Sequence, residues 1–239
     1  MRKFILAWLL PLLLLVASCR PETEKRSFIN GSFSDGAGVK LLLQEMDIKE
    51  IRSMDSVTTG NDGKFGFTLN QTEPGFWLLK APSGKILVLL LHPGDSIVLS
   101  GSFIDFPDNV ILHGPGDARL LDEFFHYTRQ HETIIDSLQM VLAERQDSAD
   151  FYTITQKLDT SFRMIWDKQR MYEISFIDSH PGSLANLIVI NYAFGLSSVL
   201  DPDEDLAYFS KVDSALMKTY PDNKHVRFHH QRVKEMKRK

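Results

Sequence analysis

With 239 residues and 43% hydrophobic content, the chain is long enough to bury two modest cores, and its composition excludes both disorder and collagen-like repeats. Its formal charge of −4, which becomes −6 without Arg2 and Lys3, argues against a general nucleic-acid binder. A single cysteine, Cys19, limits the thiol chemistry open to the chain.

Residues 1–18 read as a targeting segment: Arg2 and Lys3 supply the positive start, and residues 4–16 are apolar apart from Pro11. The run is too short for an ordinary membrane span. Val16-Ala17-Ser18 followed by Cys19 resembles the lipobox of bacterial lipoproteins, with Val in place of the more usual Leu. That resemblance implies that Cys19 becomes the mature first residue, carries a diacylglyceryl thioether and an acylated amine, and anchors the protein to a membrane. The implied location is the cell envelope, on the outer membrane facing the periplasm. Several acyl chains, at about 0.8 kcal/mol per buried methylene, hold far more firmly than one. The bland reading is a secretory peptide with an incidental cysteine. Residues 19–26 then form a charged tether, and a lipidated Cys19 leaves no thiol for a disulfide or a Cys-x-x-Cys pair.

Short apolar runs separated by turn residues mark residues 27–116 as an antiparallel β-sandwich. Runs 27–33 and 39–44 read as a first hairpin around Ser34-Asp35-Gly36-Ala37-Gly38. Run 52–59 is followed by Gly60-Asn61-Asp62-Gly63-Lys64, expected to close a hairpin into 65–69, where alternation puts Phe65, Phe67 and Leu69 on one face. Runs 76–81, 86–91, 96–100 and 110–113 follow, with turns at 82–85 and 92–95. Six apolar residues without alternation, 86–91, predict a strand covered on both faces, by the second sheet on one side and the helical half on the other.

The Gly31 hairpin start, Asp55-Ser56-Val57, Asp62-Gly63-Lys64-Phe65-Gly66-Phe67, residues 74–78 and Leu91-His92-Pro93-Gly94-Asp95 occur in order, and Gly114-Pro115-Gly116-Asp117 precedes the first helix. Together they resemble the N-terminal β-domain of unknown function in Bacteroidetes lipoproteins whose C-terminal half is usually thioredoxin-like.

Residues 117–239 change period, giving an α+β class overall. Leu120, Phe124, Tyr127, His131, Ile134, Leu138 and Val141 form a heptad seam, and after residues 145–148 a second runs through Phe151, Ile154, Leu158, Phe162, Ile165, Tyr172 and Phe176. A long antiparallel helical hairpin is expected. Pro181 is expected to start a third helix through Leu184, Leu187, Ile188, Ile190 and Phe194, and Asp201-Pro202 a fourth through Leu206, Phe209, Val212 and Leu216. Phe176-Ile177 and His180-Pro181-Gly182-Ser183 resemble the bridge to the thioredoxin-like domain in the same family. After Tyr220-Pro221-Asp222 only a basic helix follows, so the family's oxidoreductase activity is not transferred.

The candidates for chemistry each have a plainer reading. His225 and His229, four residues apart with His230 beside them, could share a metal, but two imidazoles alone make an incomplete site and cations flank them. With seven Lys or Arg against one Glu from residue 224 onward, a solvated basic tail is the preferred reading, and an anionic membrane surface or partner the other. His131-Glu132 lacks the second histidine of a zinc-protease helix, since Ile135 occupies its place. Asp201, Asp203 and Asp205 open like a calcium loop, but Leu206 stands where Gly is required. His92 and Asp95 flank a Pro-Gly turn.

No catalytic, cofactor-binding or metal-binding residue is therefore assigned, and Cys19 is the lipidation site. The expected function is that of a non-enzymatic, membrane-anchored binding module, whose partner meets the exposed part of the helical half. The alternative is an accessory partner of a thioredoxin-like protein acting in trans.

Overall fold

A computed structural model describes residues 25–238; the expected targeting segment 1–18 and Cys19 lie outside the described residues. Eight strands come first: β1 (Lys25–Phe33), β2 (Lys40–Met46), β3 (Ile51–Thr58), β4 (Lys64–Gln71), β5 (Gly75–Lys80), β6 (Ile86–Leu91), β7 (Ser96–Gly101) and β8 (Ile111–His113). They form two four-stranded sheets, ordered β4-β1-β7-β8 and β3-β2-β5-β6. Most pairs are antiparallel, but β1 and β7 run parallel, with Ile29 opposite Ile97. The chain reaches β7 from the other sheet, so nothing obliges it to reverse direction there.

Two expected hairpins are instead bridges between sheets. β1 and β2 lie in different sheets, as do β3 and β4. The reason is burial: Ile29 and Phe33 face Leu41 and Leu43 across the core, where side-by-side pairing would turn both sets the same way. Turn residues serve either route equally. The first crossing is held by Asp35, whose carboxylate accepts from Ser102 Oγ at 3.0 Å and from the N–H groups of Phe103 and Ile104. The second passes close under β1: Gly63 has φ +72°, and a Cβ there would strike the Phe33 carbonyl.

The β5–β6 reversal is a true hairpin, with Leu78 opposite Val88. Gly84 in its turn has φ +88° and nothing near the space a Cβ would fill. Gly84→Ala is therefore expected to cost only the left-handed conformation, about 1 kcal/mol, read as a lower urea midpoint with an unchanged slope.

Inside the sandwich, Phe33 stacks on Phe65 at 5.2 Å and meets Phe106 edge-on at 5.8 Å, with Leu41, Leu79 and Leu89 fully enclosed beside them. The alternation in β4 buries Phe65, Phe67 and Leu69, as its sequence requires. β6 is covered on both faces: Leu87, Leu89 and Leu91 join the sandwich core, while Leu90 packs with Leu121, Phe124 and Phe176 in a second core. Each such side chain contributes roughly 1.5–3 kcal/mol when buried.

The helical half starts with α1 (Gly116–Glu144) and α2 (Phe151–Ser179), which pack as the long hairpin. The buried stripe of α1 runs through Ala118, Leu121, Phe124, Thr128, His131 and Ile135. It shares Phe124 and His131 with the heptad seam, but Ile134 and Val141 are exposed, because α1 packs on the sheet as well as on α2. Beyond Ile135 most side chains of the pair meet solvent.

The third helix is only one turn, α3 (Asn186–Val189), followed by the small hairpin β9 (Ala193–Phe194) and β10 (Ser197–Ser198). Leu184, Ala185, Leu187, Val189 and Ile190 are all buried, so this stretch is apolar on every side and carries no stripe that would favour a long surface helix. α4 (Leu206–Thr219) carries the expected Leu206, Phe209, Val212 and Leu216 but starts at Leu206 rather than at Asp201-Pro202, which lie in the turn before it, and α5 (Lys224–Met236) completes the described chain.

α5 is a correction to the solvated-tail reading. Val226, His229 and Val233 are buried against the second core. Its first turn returns to the sandwich, where the Asn223 carboxamide caps the N–H groups of His225 and Val226 and donates to the Pro74 carbonyl at 2.7 Å. Among the described residues no helix is long and apolar enough to cross a membrane.

Candidate functional site

The histidines of α5 face three separate partners. His225 meets the Phe76 ring edge-on at 5.1 Å, and its buried Nε2 has no hydrogen-bond partner. Burial, then the Lys224 charge, pushes it down to about 4, so it is neutral at neutral pH. His229 Nε2 donates to the Phe209 carbonyl at 3.2 Å, and His230 Nδ1 lies 2.8 Å from Asp213. A four-residue step aligned two rings in sequence, but the core behind the helix gave each its own contact. Among the described residues no group of three or more metal-ligating side chains comes together.

His92 and Asp95 separate as well. The Asp95 carboxylate accepts from the His92 backbone N–H at 2.8 Å, which shapes the β6–β7 turn. The His92 ring reaches away to Asp117 at 2.9 Å. Asp117 also accepts from Ser183 Oγ at 2.6 Å and from the Leu184 N–H at 3.2 Å. Burial raises its pKa, but these hydrogen bonds win and hold it below the ordinary carboxylate value.

Serine, aspartate and histidine thus meet at one point, in an order unsuited to nucleophilic catalysis. The carboxylate stands between hydroxyl and imidazole, so the imidazole is not aimed at Ser183 Oγ, which donates instead to a carboxylate held below the ordinary value. What the cluster does is fasten three segments: the β6–β7 turn of the sandwich, the start of α1 and the loop after α2. The same turn is tied from the other side, since Ser27 Oγ donates to the His92 carbonyl at 3.0 Å and accepts from Gln71 Nε2.

A second polar cluster lies between α1 and α2. His131 Nδ1 donates to Gln169 Oε1 at 2.9 Å, and Gln169 Nε2 donates to Thr128 Oγ1 and Glu173 Oε1, each at 3.1 Å. Gln169, Thr128 and Glu173 are fully buried, and Glu173 Oε2 has no partner. Burial drives the Glu173 carboxyl up to about 8 against the smaller opposing effects of Gln169 and Arg170. It is a neutral acid at neutral pH, sealed from solvent. Such a buried network, joined through Gln169 with only Glu173 Oε2 left over, specifies which faces of two helices meet rather than carrying chemistry.

Around it, Glu132 accepts from Tyr192 Oη at 2.5 Å, and Ile135 is buried where a zinc helix needs histidine. Asp205 is gripped by Arg170 through two bonds of 2.6 Å, and that contact, ahead of burial, holds its pKa down. Asp201 Oδ1 accepts from the Asp203 N–H at 2.7 Å and lies at the approach to α4. The three aspartates therefore organise a helix entry, not a calcium loop.

Asp117, Ser183, Gln169 and Glu173 are the residues that sequence reasoning missed. Gln169 did leave a signal: the second seam steps from Ile165 to Tyr172, and the helix positions that would continue it between them, 168 and 169, are Lys and Gln. Asp117 and Ser183 are 66 positions apart, and no local pattern connects them.

No family model and no curated protein matches this chain. Among solved structures it is similar over 34% of its length to a 9R-lipoxygenase from Cyanothece PCC8801, at 10% identity and a TM-score of 0.20. The chain spans 16% of the length of that protein, and the likeness carries no argument about fold or activity.

Proposed function

We propose that the protein is a non-catalytic binding module held to the bacterial envelope through Cys19, and that the far end of the α1–α2 hairpin is its contact element. One observation carries this reading. Two 29-residue helices, each about 43 Å long at 1.5 Å per residue, pack on the body near one end and expose apolar side chains toward the other. Met140 is 64% exposed, Tyr152 75% and Met164 56%. Exposed apolar side chains grouped on one projecting element mark an interaction surface. The non-catalytic half of the proposal is supported by the polar clusters, where His92, Asp117, His131 and Asp205 all bond within the chain.

A photo-crosslinking residue placed at Met140 or Tyr152 in cells is expected to give discrete adducts, while the same residue at Thr68, exposed on the sandwich, gives none. Equal labelling at all three positions would remove the arm from the proposal. A thioredoxin-like protein in the adduct would favour the alternative reading, an accessory partner of a redox protein acting in trans. Reduction of insulin disulfides by the isolated protein above a buffer blank would overturn the non-catalytic reading.

A further inference from the structure

We infer that the groove between α5, the end of α4 and the β2–β3 turn binds an acidic peptide segment of a partner protein. This surface lies on different elements from the α1–α2 arm and does not depend on it. The groove is shallow and open, with a volume of about 660 Å³, and Ile48, Met217 and Phe228 give it an apolar floor. Phe228 is 45% exposed although it belongs to a helix whose other face is packed.

Three cations line the groove, Lys224, Arg227 and Lys234, against one carboxylate, Asp222. Lys224 is already committed, pairing with Glu45 and, at 3.2 Å, with Asp47. Arg227 and Lys234 have no ion-pair partner among the described residues, and they stand seven residues apart on the same side of α5. Two helical turns separate such positions by about 10 Å. A peptide in the polyproline II conformation repeats its edge every three residues, roughly 9 Å. Two carboxylates at that spacing can therefore meet both cations, while an apolar side chain between them reaches Phe228 and Met217.

The spacing of the two cations, matched by the edge of an extended peptide, decides for a chain segment over a bilayer. Charge decides the sign of the ligand, and the apolar floor decides that charge alone is not enough. The free guanidinium and ammonium make the interaction sensitive to salt.

The test uses the full chain in detergent and fluorescein-labelled peptides carrying two aspartates three residues apart with leucine between them. Anisotropy is expected to show saturable binding that weakens as salt rises. Asparagine in place of both aspartates should abolish it, and the double variant R227Q/K234Q should weaken it about tenfold or more, as losing two charged contacts implies. Phe228→Ala should weaken it about threefold through the apolar contact alone. Both cations are exposed and unpaired, so the double variant should melt like the parent, and its melting curve confirms that any loss is local. Equal binding of the asparagine peptide, unchanged affinity in the double variant, or capture by phosphatidylglycerol vesicles without capture of the peptide would each overturn the proposal.

Discussion

Raising the pH from about 6.5 to about 9 is expected to lower the melting temperature of the protein, and Glu173→Gln is expected to remove most of that fall. Below the ordinary carboxyl value of 4.5 the Glu173 side chain is neutral in both folded and unfolded chains, so it does not bias folding. Between 4.5 and about 8 the unfolded chain releases a proton that the folded chain retains, and rising pH therefore favours unfolding. Above about 8 the full penalty is present. At about 1.4 kcal/mol per pH unit of displacement, it amounts to several kcal/mol.

Glutamine at this position keeps the acceptor for Gln169 Nε2 and cannot ionise. Glu173→Ala is the control: it removes that acceptor, leaves a hole between α1 and α2, and should destabilise the protein at every pH by about 2–4 kcal/mol. A parent protein whose melting temperature follows that of Glu173→Gln across the whole range would show that the carboxyl is not held neutral. His225 and His229, both pushed down by burial, bend the curve the other way on the acid side. For His225 the unfolded ring takes up a proton below 6.5 that the folded one refuses down to about 4, so stability is lost as pH falls through that window.

Asp117→Ala is expected to cost about 3 kcal/mol, because it removes a half-buried carboxylate together with its three hydrogen bonds and leaves Ser183 and the Leu184 N–H without acceptors. The effect should be uneven across the molecule. Amide exchange at Leu184 and in the β6–β7 turn should quicken more than exchange in β4 or β5, since the lost contacts join the sandwich to the helices and not the strands to each other. Ser183→Ala removes one contact and should cost about 1 kcal/mol. Because hydrogen bonds depress the Asp117 pKa below 3.8, its contribution is present above that value and disappears as pH falls through the folded pKa. Uniform acceleration of exchange in Asp117→Ala, with no concentration at the junction, would mean that the cluster does not fasten the two halves together.

Much of the architecture could be read from residue order. Short apolar runs between turn residues placed all eight strands of the sandwich, and heptad seams placed both arms of the helical hairpin, because each run must hide a face from water wherever it ends up. The unbroken run in β6 even announced a cover on its second face, which Leu121 and Phe124 supply. Hairpins were the weak point. Gly36, Gly38 and Gly63 show that the chain turns but not whether it returns beside itself or crosses to the opposite sheet, and only the demand that Phe33 face Leu41 across a shared core chooses between them.

What belonged to tertiary structure alone was the pairing of polar groups distant in sequence. His225, His229 and His230 shared a helix, yet the packing of Phe76, Phe209 and Asp213 around α5 sent each ring to a different neighbour. Asp117 met His92 and Ser183 because a sheet and two helices converge there, and Glu173 became a neutral acid because α1 closes over it. Local chemistry is set by side chains within a few residues and is written in the sequence. Burial and charge environment are set by whatever the folded chain brings alongside, so they exist only once the three-dimensional packing does.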